Sequence, residues 1–127
     1  MIGTLLQIAL GGALGAISRY LLTTGISTVM GKQFPYGTLF VNVFGSLLMG
    51  FLIALMIENL TLPERYTPLI ITGFLGGFTT FSAFSNDFWQ LSTNGKLDMA
   101  LVYALVSVVL AVLALYLGLF LARIWFH

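Results

Sequence analysis

Cysteine is absent from this 127-residue chain, and charged side chains make up only 7% of it. The absence of cysteine excludes disulfide frameworks and thiolate metal sites. Soluble domains carry about 25% charged residues, whereas hydrophobic residues reach 59% here. The composition therefore predicts an integral membrane protein rather than a water-soluble monomer.

Histidine occurs once, as the terminal residue His127, where neither a catalytic nor a ligand role is expected. The net charge is only +1, and the basic residues form no run or stripe that would bind nucleic acid. We find no nucleotide-binding motif either. We therefore expect neither an enzyme nor a nucleic-acid-binding protein.

Crossing a bilayer as a helix takes about 20 apolar residues, and polar breaks divide this chain into four such lengths. They predict one four-helix transmembrane domain over residues 1–127, with the first segment retained in the mature protein. Helix-stopping and helix-starting signals set the boundaries at Gly31, Pro35, a Thr61/Glu64 capping box, and the turn at 94–96. The predicted spans are approximately 3–30, 36–59, 63–92 and 97–125.

The basic residues are balanced across the predicted membrane. Because successive loops alternate sides, Lys32 and Lys96 fall on one face and Arg65 and Arg123 on the other. The difference in Lys/Arg number between the two sides sets the direction of insertion. Arg19 is the only remaining basic residue that could favour one orientation. We therefore predict insertion in both orientations (dual topology) and pairing of opposite copies into an antiparallel homodimer.

Small residues recur at four-residue spacing in two spans, as Gly11 and Gly15 in the first and Ser46 and Gly50 in the second. Such spacing lets helix backbones approach closely. It does not distinguish contacts within one chain from contacts between two chains, and both interpretations stay open.

The third span is predicted to break at its middle. Residues 73–82 (GFLGGFTTFS) place three glycines and then hydroxyl residues at mid-membrane. Non-helical backbone is tolerated at this depth only where protein or water satisfies it. Freed carbonyls from two copies could coordinate a hard monovalent cation across a two-fold axis; a kink without an ion is the alternative.

Polar and aromatic side chains share helix faces in the second and third spans. Thr38 and Asn42 lie four residues apart, and the Asn42 amide could bind an anion or a neighbouring helix. Phe81 and Phe84 lie three apart, and the positive ring edges of such a pair could face a small anion. Ordinary packing is the alternative for the two rings.

Further polar groups suggest a donor-lined track. Tyr103 and Ser107 share a face of the fourth span, and Ser82 and Thr79 add hydroxyls near the break. A charge deep in the first span, Arg19, would suit an anion-attracting vestibule or would snorkel to the interface. Asp87 could pair with a basic group or lie at a pore mouth.

Three stretches, residues 11–20 (GGALGAISRY), 37–45 (GTLFVNVFG) and 73–85 (GFLGGFTTFSAFS), resemble the signature motifs of the Fluc (CrcB) family of fluoride channels. The resemblance covers almost the whole chain. It implies a multi-pass protein of a bacterial inner membrane that exports fluoride passively, as an antiparallel dual-topology dimer with two pores and a structural Na⁺ at the dimer centre.

The resemblance also implies roles for individual residues. Gly76 and Thr79 would give carbonyls to Na⁺, and Arg19 would lie in a vestibule. The fluoride pore would be lined by Phe81, Phe84, Asn42, Ser82, Thr38, Tyr103 and Ser107. Two departures stand out. Ala111 and Leu115 occupy positions where some relatives continue the hydroxyl track, and Asp87 stands where relatives often have Glu.

Two other functions fit a small hydrophobic chain. A dual-topology multidrug/proton antiporter would need a carboxylate in the first span, whose only charge is Arg19. A non-transporting assembly subunit would leave the broken span and Asn42 unexplained. A fluoride-electrode assay on reconstituted protein distinguishes all three.

Overall fold

A computed structural model of the chain describes residues 1–58 and 62–126. Over these ranges the protein is helical and has no β-strand. The elements are helices α1 (Ile2–Met30) and α2 (Tyr36–Ile57), a 3₁₀ turn (Glu64–Tyr66), a π-helix (Pro68–Leu75), the short α3 (Gly76–Phe78), and helices α4 (Phe81–Thr93) and α5 (Leu97–Trp125).

Four segments of the described chain are long and apolar enough to cross a membrane: Ile2–Met30, Tyr36–Ile57, Glu64–Thr93 and Leu97–Trp125. The prediction of an all-α protein with four spans is confirmed. Large apolar side chains are exposed along the outside of the helices, among them Leu105, Val108 and Tyr116. In a membrane protein, these side chains contact lipid or another subunit rather than water.

The helix ends follow the predicted signals with small shifts. Gly31, at φ 90°, terminates α1, because glycine adopts positive φ without a steric penalty. Pro35 immediately precedes α2, which begins at Tyr36 as predicted. In the third span, Pro63 is extended, and it is Pro68 that stands in the first turn of the longer helix. The Thr61 half of the predicted capping box, Asn59 and His127 lie outside the described residues.

The small residues of α1 pack within the chain. A Cβ on Gly11 would overlap the Leu69 carbonyl oxygen, and one on Gly15 would overlap that of Phe74. These glycines therefore bring α1 into backbone contact with the π-helix of the same chain. Gly77 continues the contact, since its Cβ would lie 2.6 Å from the Gly12 carbonyl oxygen.

A second seam of small residues joins α2 to α5. A Cβ on Gly50 would overlap the Leu115 carbonyl oxygen, and one on Gly118 would overlap that of Leu47. Ala54 and Ala122, both fully buried, extend this contact toward the ends of the two helices. Both small-residue motifs noted in the sequence thus contribute to packing inside one subunit.

The two ends of the helix bundle carry different charges. At one end, Arg123 makes a salt bridge with Glu58, with Nη2 to Oε2 at 2.8 Å. At the other end, Lys32 and Lys96 line a single cavity. The predicted placement of both lysines at one end is therefore correct.

Candidate functional site

The third span breaks at two consecutive threonines. Thr79 (φ −85°, ψ 156°) and Thr80 (φ −152°, ψ 123°) are extended between α3 and α4. The predicted interruption is confirmed, and it falls on the hydroxyl residues rather than on the glycines before them. Among the described residues, no backbone N–H donates to the carbonyl oxygens of Gly76 and Thr79. The break therefore leaves two carbonyl acceptors open at the centre of a membrane span.

Asn42 of α2 replaces the missing helical partners of Thr80. Its Nδ2 donates to the Thr80 carbonyl oxygen at 3.0 Å, and its Oδ1 accepts from the Thr80 N–H at 2.8 Å. The Thr80 side chain then caps α4, because its Oγ1 accepts from the Ala83 N–H at 3.1 Å. One N–H of the Asn42 amide has no partner in the described part of the chain.

Arg19 approaches the same break from α1. Its Nε donates to the Gly77 carbonyl oxygen at 3.0 Å, so the side chain reaches sideways across the bundle. The two Nη groups make no hydrogen bond to any described residue. The arginine thus tethers α3 and still presents donors beside the break.

A cavity of about 340 Å³ opens beside the extended threonines. We call it the break cavity. Ser107, 8% exposed, lies in its wall, and the buried Ser107 Oγ has no hydrogen-bond partner among the described residues. Ala111 and Leu115 continue the wall with apolar side chains. The residues lining the break cavity are Asn42, Gly45, Ser46, Met49, Leu75, Thr79, Thr80, Phe81, Phe84, Ser107, Val108, Ala111 and Leu115.

Three aromatic rings lead away from the break cavity. The Phe81 and Phe84 ring centroids are 5.4 Å apart, and those of Phe84 and Tyr103 are 5.0 Å apart. Phe81 is 78% exposed, whereas Tyr103 is fully buried. Phe81, at the N-terminus of α4, therefore presents its ring at the surface of the subunit at mid-membrane.

Tyr103 joins the rings to a polar cluster. Its hydroxyl donates to Asp87 Oδ2 at 3.0 Å, and Thr38 of α2 is the other hydroxyl neighbour of this carboxylate. Asp87 and Thr38 also line a second cavity, of about 250 Å³, which we call the mouth cavity. The mouth cavity is lined by Thr23, Ser27, Lys32, Gln33, Phe34, Pro35, Gly37, Thr38, Asp87, Gln90, Leu91, Asn94 and Lys96.

The sequence matches a described protein family over residues 6–119: CrcB-like protein, Camphor Resistance (CrcB). This match covers most of the chain. The chain belongs to the CrcB family. The bacterial relatives and the four apolar helices make it a multi-pass bacterial membrane protein.

Curated CrcB relatives are similar over almost their full length. A protein of Magnetococcus marinus is 47% identical over 117 residues, covering 92% of this chain and 95% of the relative. One of Cereibacter sphaeroides is 47% identical over 125 residues, 98% of each. One of Hahella chejuensis is 45% identical over 120 residues, 94% of each. All three are named "Fluoride-specific ion channel FluC".

Most of the residues singled out in the sequence of this CrcB protein lie around the two cavities. Asn42, Thr79, Phe81, Phe84 and Ser107 line the break cavity, and Thr38 lines the mouth cavity. The Ser82 hydroxyl lies 3.3 Å from that of Thr80 at the same break. Tyr103 stands between the cavities, Gly76 is exposed at the break, and Arg19 lies beside Gly77.

Two features of this CrcB site were not anticipated from the sequence. The first is Thr80, whose backbone pairs with Asn42 and whose hydroxyl caps α4. The second is the link between Tyr103 and Asp87. In a continuous α-helix the Thr80 N–H would donate to the Gly76 carbonyl, four residues earlier. The sequence shows this spacing, but only the fold shows that Asn42 Oδ1 accepts the N–H instead.

Proposed function

We propose that the protein is a fluoride-selective channel that lets fluoride leave the cell down its electrochemical gradient. The relatives named fluoride-specific channels carry this proposal, since they are similar along almost the whole chain. The geometry supports it. A cavity at mid-membrane holds a buried hydroxyl without a partner, and an aromatic pair stands beside it.

The break cavity offers a small anion donors in place of water. Ser107 Oγ and the remaining N–H of Asn42 are uncharged donors in an otherwise apolar wall. The edges of Phe81 and Phe84 carry the positive end of the ring quadrupole. Tyr103, Thr38 and Ser82 extend the set of hydroxyls along the path. Selectivity then comes from pore width and donor placement.

The working unit in this proposal is an antiparallel homodimer with two pores. Gly76 is exposed and Phe81 is 78% exposed at the depth of the break. Open carbonyls do not face lipid hydrocarbon, because unsatisfied backbone groups cost several kcal/mol there. A second, inverted copy covers this surface, and the nearly balanced basic residues permit the inverted insertion.

A structural Na⁺ at the dimer centre is the further part of the proposal. Among the described residues, no cluster of three His, Asp or Glu side chains could hold a metal. The donors that fit are the carbonyl oxygens of Gly76 and Thr79, which have no backbone partner. Two copies supply four such oxygens, which suit a hard monovalent cation, and the bound ion would fix the two breaks against each other.

Fluoride efflux from liposomes tests the function. Protein reconstituted into vesicles loaded with potassium fluoride should release fluoride to an electrode only after valinomycin provides a counter-current of K⁺, because a channel moves net charge. Vesicles loaded with potassium chloride should retain their contents. Fluoride release without valinomycin, or no release at all, would contradict the proposed channel.

Labelling of single cysteines tests the inverted dimer, and the chain has no native cysteine to interfere. In intact cells, an impermeant maleimide should label about half of the copies carrying Asn94→Cys, and all copies after permeabilisation. Complete protection or complete labelling would contradict dual topology.

Replacing Na⁺ by N-methylglucamine should lower fluoride efflux, and an unchanged rate after exhaustive exchange would contradict the sodium site.

The multidrug/proton antiporter gains no support from the structure. Its chemistry needs a carboxylate in the first span, but α1 carries only Arg19, whose Nε is bonded to Gly77. Asp87 is a membrane carboxylate on α4, but it accepts the Tyr103 hydroxyl, and the mouth cavity beside it also holds Lys32 and Lys96, which would repel a cationic drug.

A further inference from the structure

The mouth cavity brings together both lysines of the chain. Lys32 belongs to the segment between α1 and α2, and Lys96 belongs to the turn between α4 and α5, yet both line one space of about 250 Å³. Among the described residues, the only salt bridge is that between Arg123 and Glu58 at the opposite end. Both ammonium charges of the mouth cavity are therefore uncancelled by an ion pair.

A continuous series of contacts connects this cavity to the break cavity. Asp87 at the inner side of the mouth accepts the Tyr103 hydroxyl at 3.0 Å. The Tyr103 ring packs on Phe84, with centroids 5.0 Å apart, and Phe84 lines the break cavity. In the proposed channel, an anion that leaves the break cavity on this side enters the mouth cavity, whose lining includes both lysines and Asp87.

The size of the mouth cavity suits a hydrated ion. One water occupies about 30 Å³ in the liquid, so 250 Å³ holds a small anion together with its inner hydration shell. Six of the 13 lining residues carry uncharged polar side chains, including Gln90 and Asn94, and can hydrogen-bond to this water. In the proposed channel, fluoride therefore meets the lysines while it is still hydrated.

We propose that Lys32 and Lys96 form an anion-collecting mouth that raises the local fluoride concentration at the end of the pore. This inference rests on the proposed fluoride channel. Two cations that line one cavity make its electric potential more positive and so raise the concentration of anions there. With one carboxylate facing them, the net charge of the mouth is +1. Asp87 lowers the affinity of the mouth for anions, so that fluoride is gathered without being trapped.

The test measures initial fluoride efflux at fluoride concentrations well below saturation. The double variant Lys32→Gln/Lys96→Gln should lower the rate by about three- to ten-fold at low ionic strength, where charge steering acts over long distances. The difference should largely disappear at about 1 M salt, where the screening length falls to about 3 Å. The Lys32→Arg/Lys96→Arg variant should retain the wild-type rate.

Arg65→Gln is the matched control. In an antiparallel pair, each membrane face carries the lysine mouth of one copy and Arg65 of the other. Arg65→Gln therefore removes one positive charge per face outside the mouth, as Lys32→Gln alone, measured beside the double variant, does within it. We expect normal efflux from Arg65→Gln. The proposed role of the lysines would be overturned by normal efflux from the lysine double variant, by a defect that persists in high salt, or by an equal defect in Arg65→Gln. Wild-type efflux in the same assay separates this failure from a failure of the proposed channel.

Discussion

The side-chain amide of Asn42 is paired with both backbone groups of Thr80, as donor to the carbonyl at 3.0 Å and as acceptor from the N–H at 2.8 Å. The Asn42 amide thus makes the two hydrogen bonds that a residue of a neighbouring strand makes in a β-sheet. It stabilises the extended conformation of the break and leaves one N–H for a ligand. The same side chain therefore serves both structure and conduction in our proposal.

Asn42→Ala should destabilise the protein because it leaves the Thr80 N–H and carbonyl without partners in an apolar environment. An unsatisfied buried group costs about 1–3 kcal/mol. Thermal unfolding in detergent, followed by tryptophan fluorescence, measures the effect. Asn94→Ala at the exposed turn is the matched control and should unfold like wild type. Equal stability of both variants would contradict the structural role of the Asn42 pair.

Much of this architecture could be predicted from the sequence because hydropathy and local breakers are properties of neighbouring residues. The four spans, the Gly31 stop and the interruption after Gly77 are of this kind. The partners of Asn42 and Arg19 are separated from them by 38 and 58 positions along the chain. Such contacts depend on how helices pack, which no local pattern contains.

The π-helix over Pro68–Leu75 illustrates the same limit. A π-helical segment differs from an α-helix by one inserted residue, and the composition of PLIITGFL predicts only an apolar helix. The spacing of the glycines on α1 likewise does not indicate which helix packs against them. The structure assigns Gly11 and Gly15 to this π-helix and thereby resolves the alternative that the sequence left open.

Phe81→Ile and Phe84→Ile should each nearly abolish fluoride efflux, because an aliphatic side chain has no ring edge to face an anion. Efflux from reconstituted vesicles measures the loss. Phe120→Ile is the matched control, because it makes the same substitution on the exposed surface of α5, away from the break. This variant should conduct normally. Unimpaired flux in both pore variants would refute the assigned roles of the two rings.

Ser107→Ala should separate stability from function. The Ser107 hydroxyl is buried without a partner, and removing such a group relieves a desolvation cost of about 1–3 kcal/mol. We expect an unfolding temperature equal to or above that of wild type together with reduced fluoride efflux. Ser92→Ala, whose hydroxyl donates to the exposed Trp89 carbonyl, should leave efflux unchanged. Reduced stability with normal efflux would assign Ser107 to packing instead.

Gly50→Ala should be strongly destabilising, because the new methyl group would overlap the Leu115 carbonyl oxygen on a rigid helix. Gly25→Ala is the matched control, since nothing lies within 4 Å of its added Cβ. Alanine favours a helix over glycine by about 1 kcal/mol, so this control should unfold at the wild-type temperature or above it. Thermal unfolding of the two variants gives the comparison, and equal behaviour would contradict the close α2–α5 contact.

The two glycine seams have a consequence for how copies of the protein can meet. Backbones that touch leave no gap wide enough for an ion, and this chain uses its touching backbones inside each subunit, where α1 meets the π-helix and α2 meets α5. The surface around Phe81 instead projects bulky rings. In the proposed dimer, these rings would hold the two main chains apart on either side of the Na⁺ site, which would leave room for two separate ion paths.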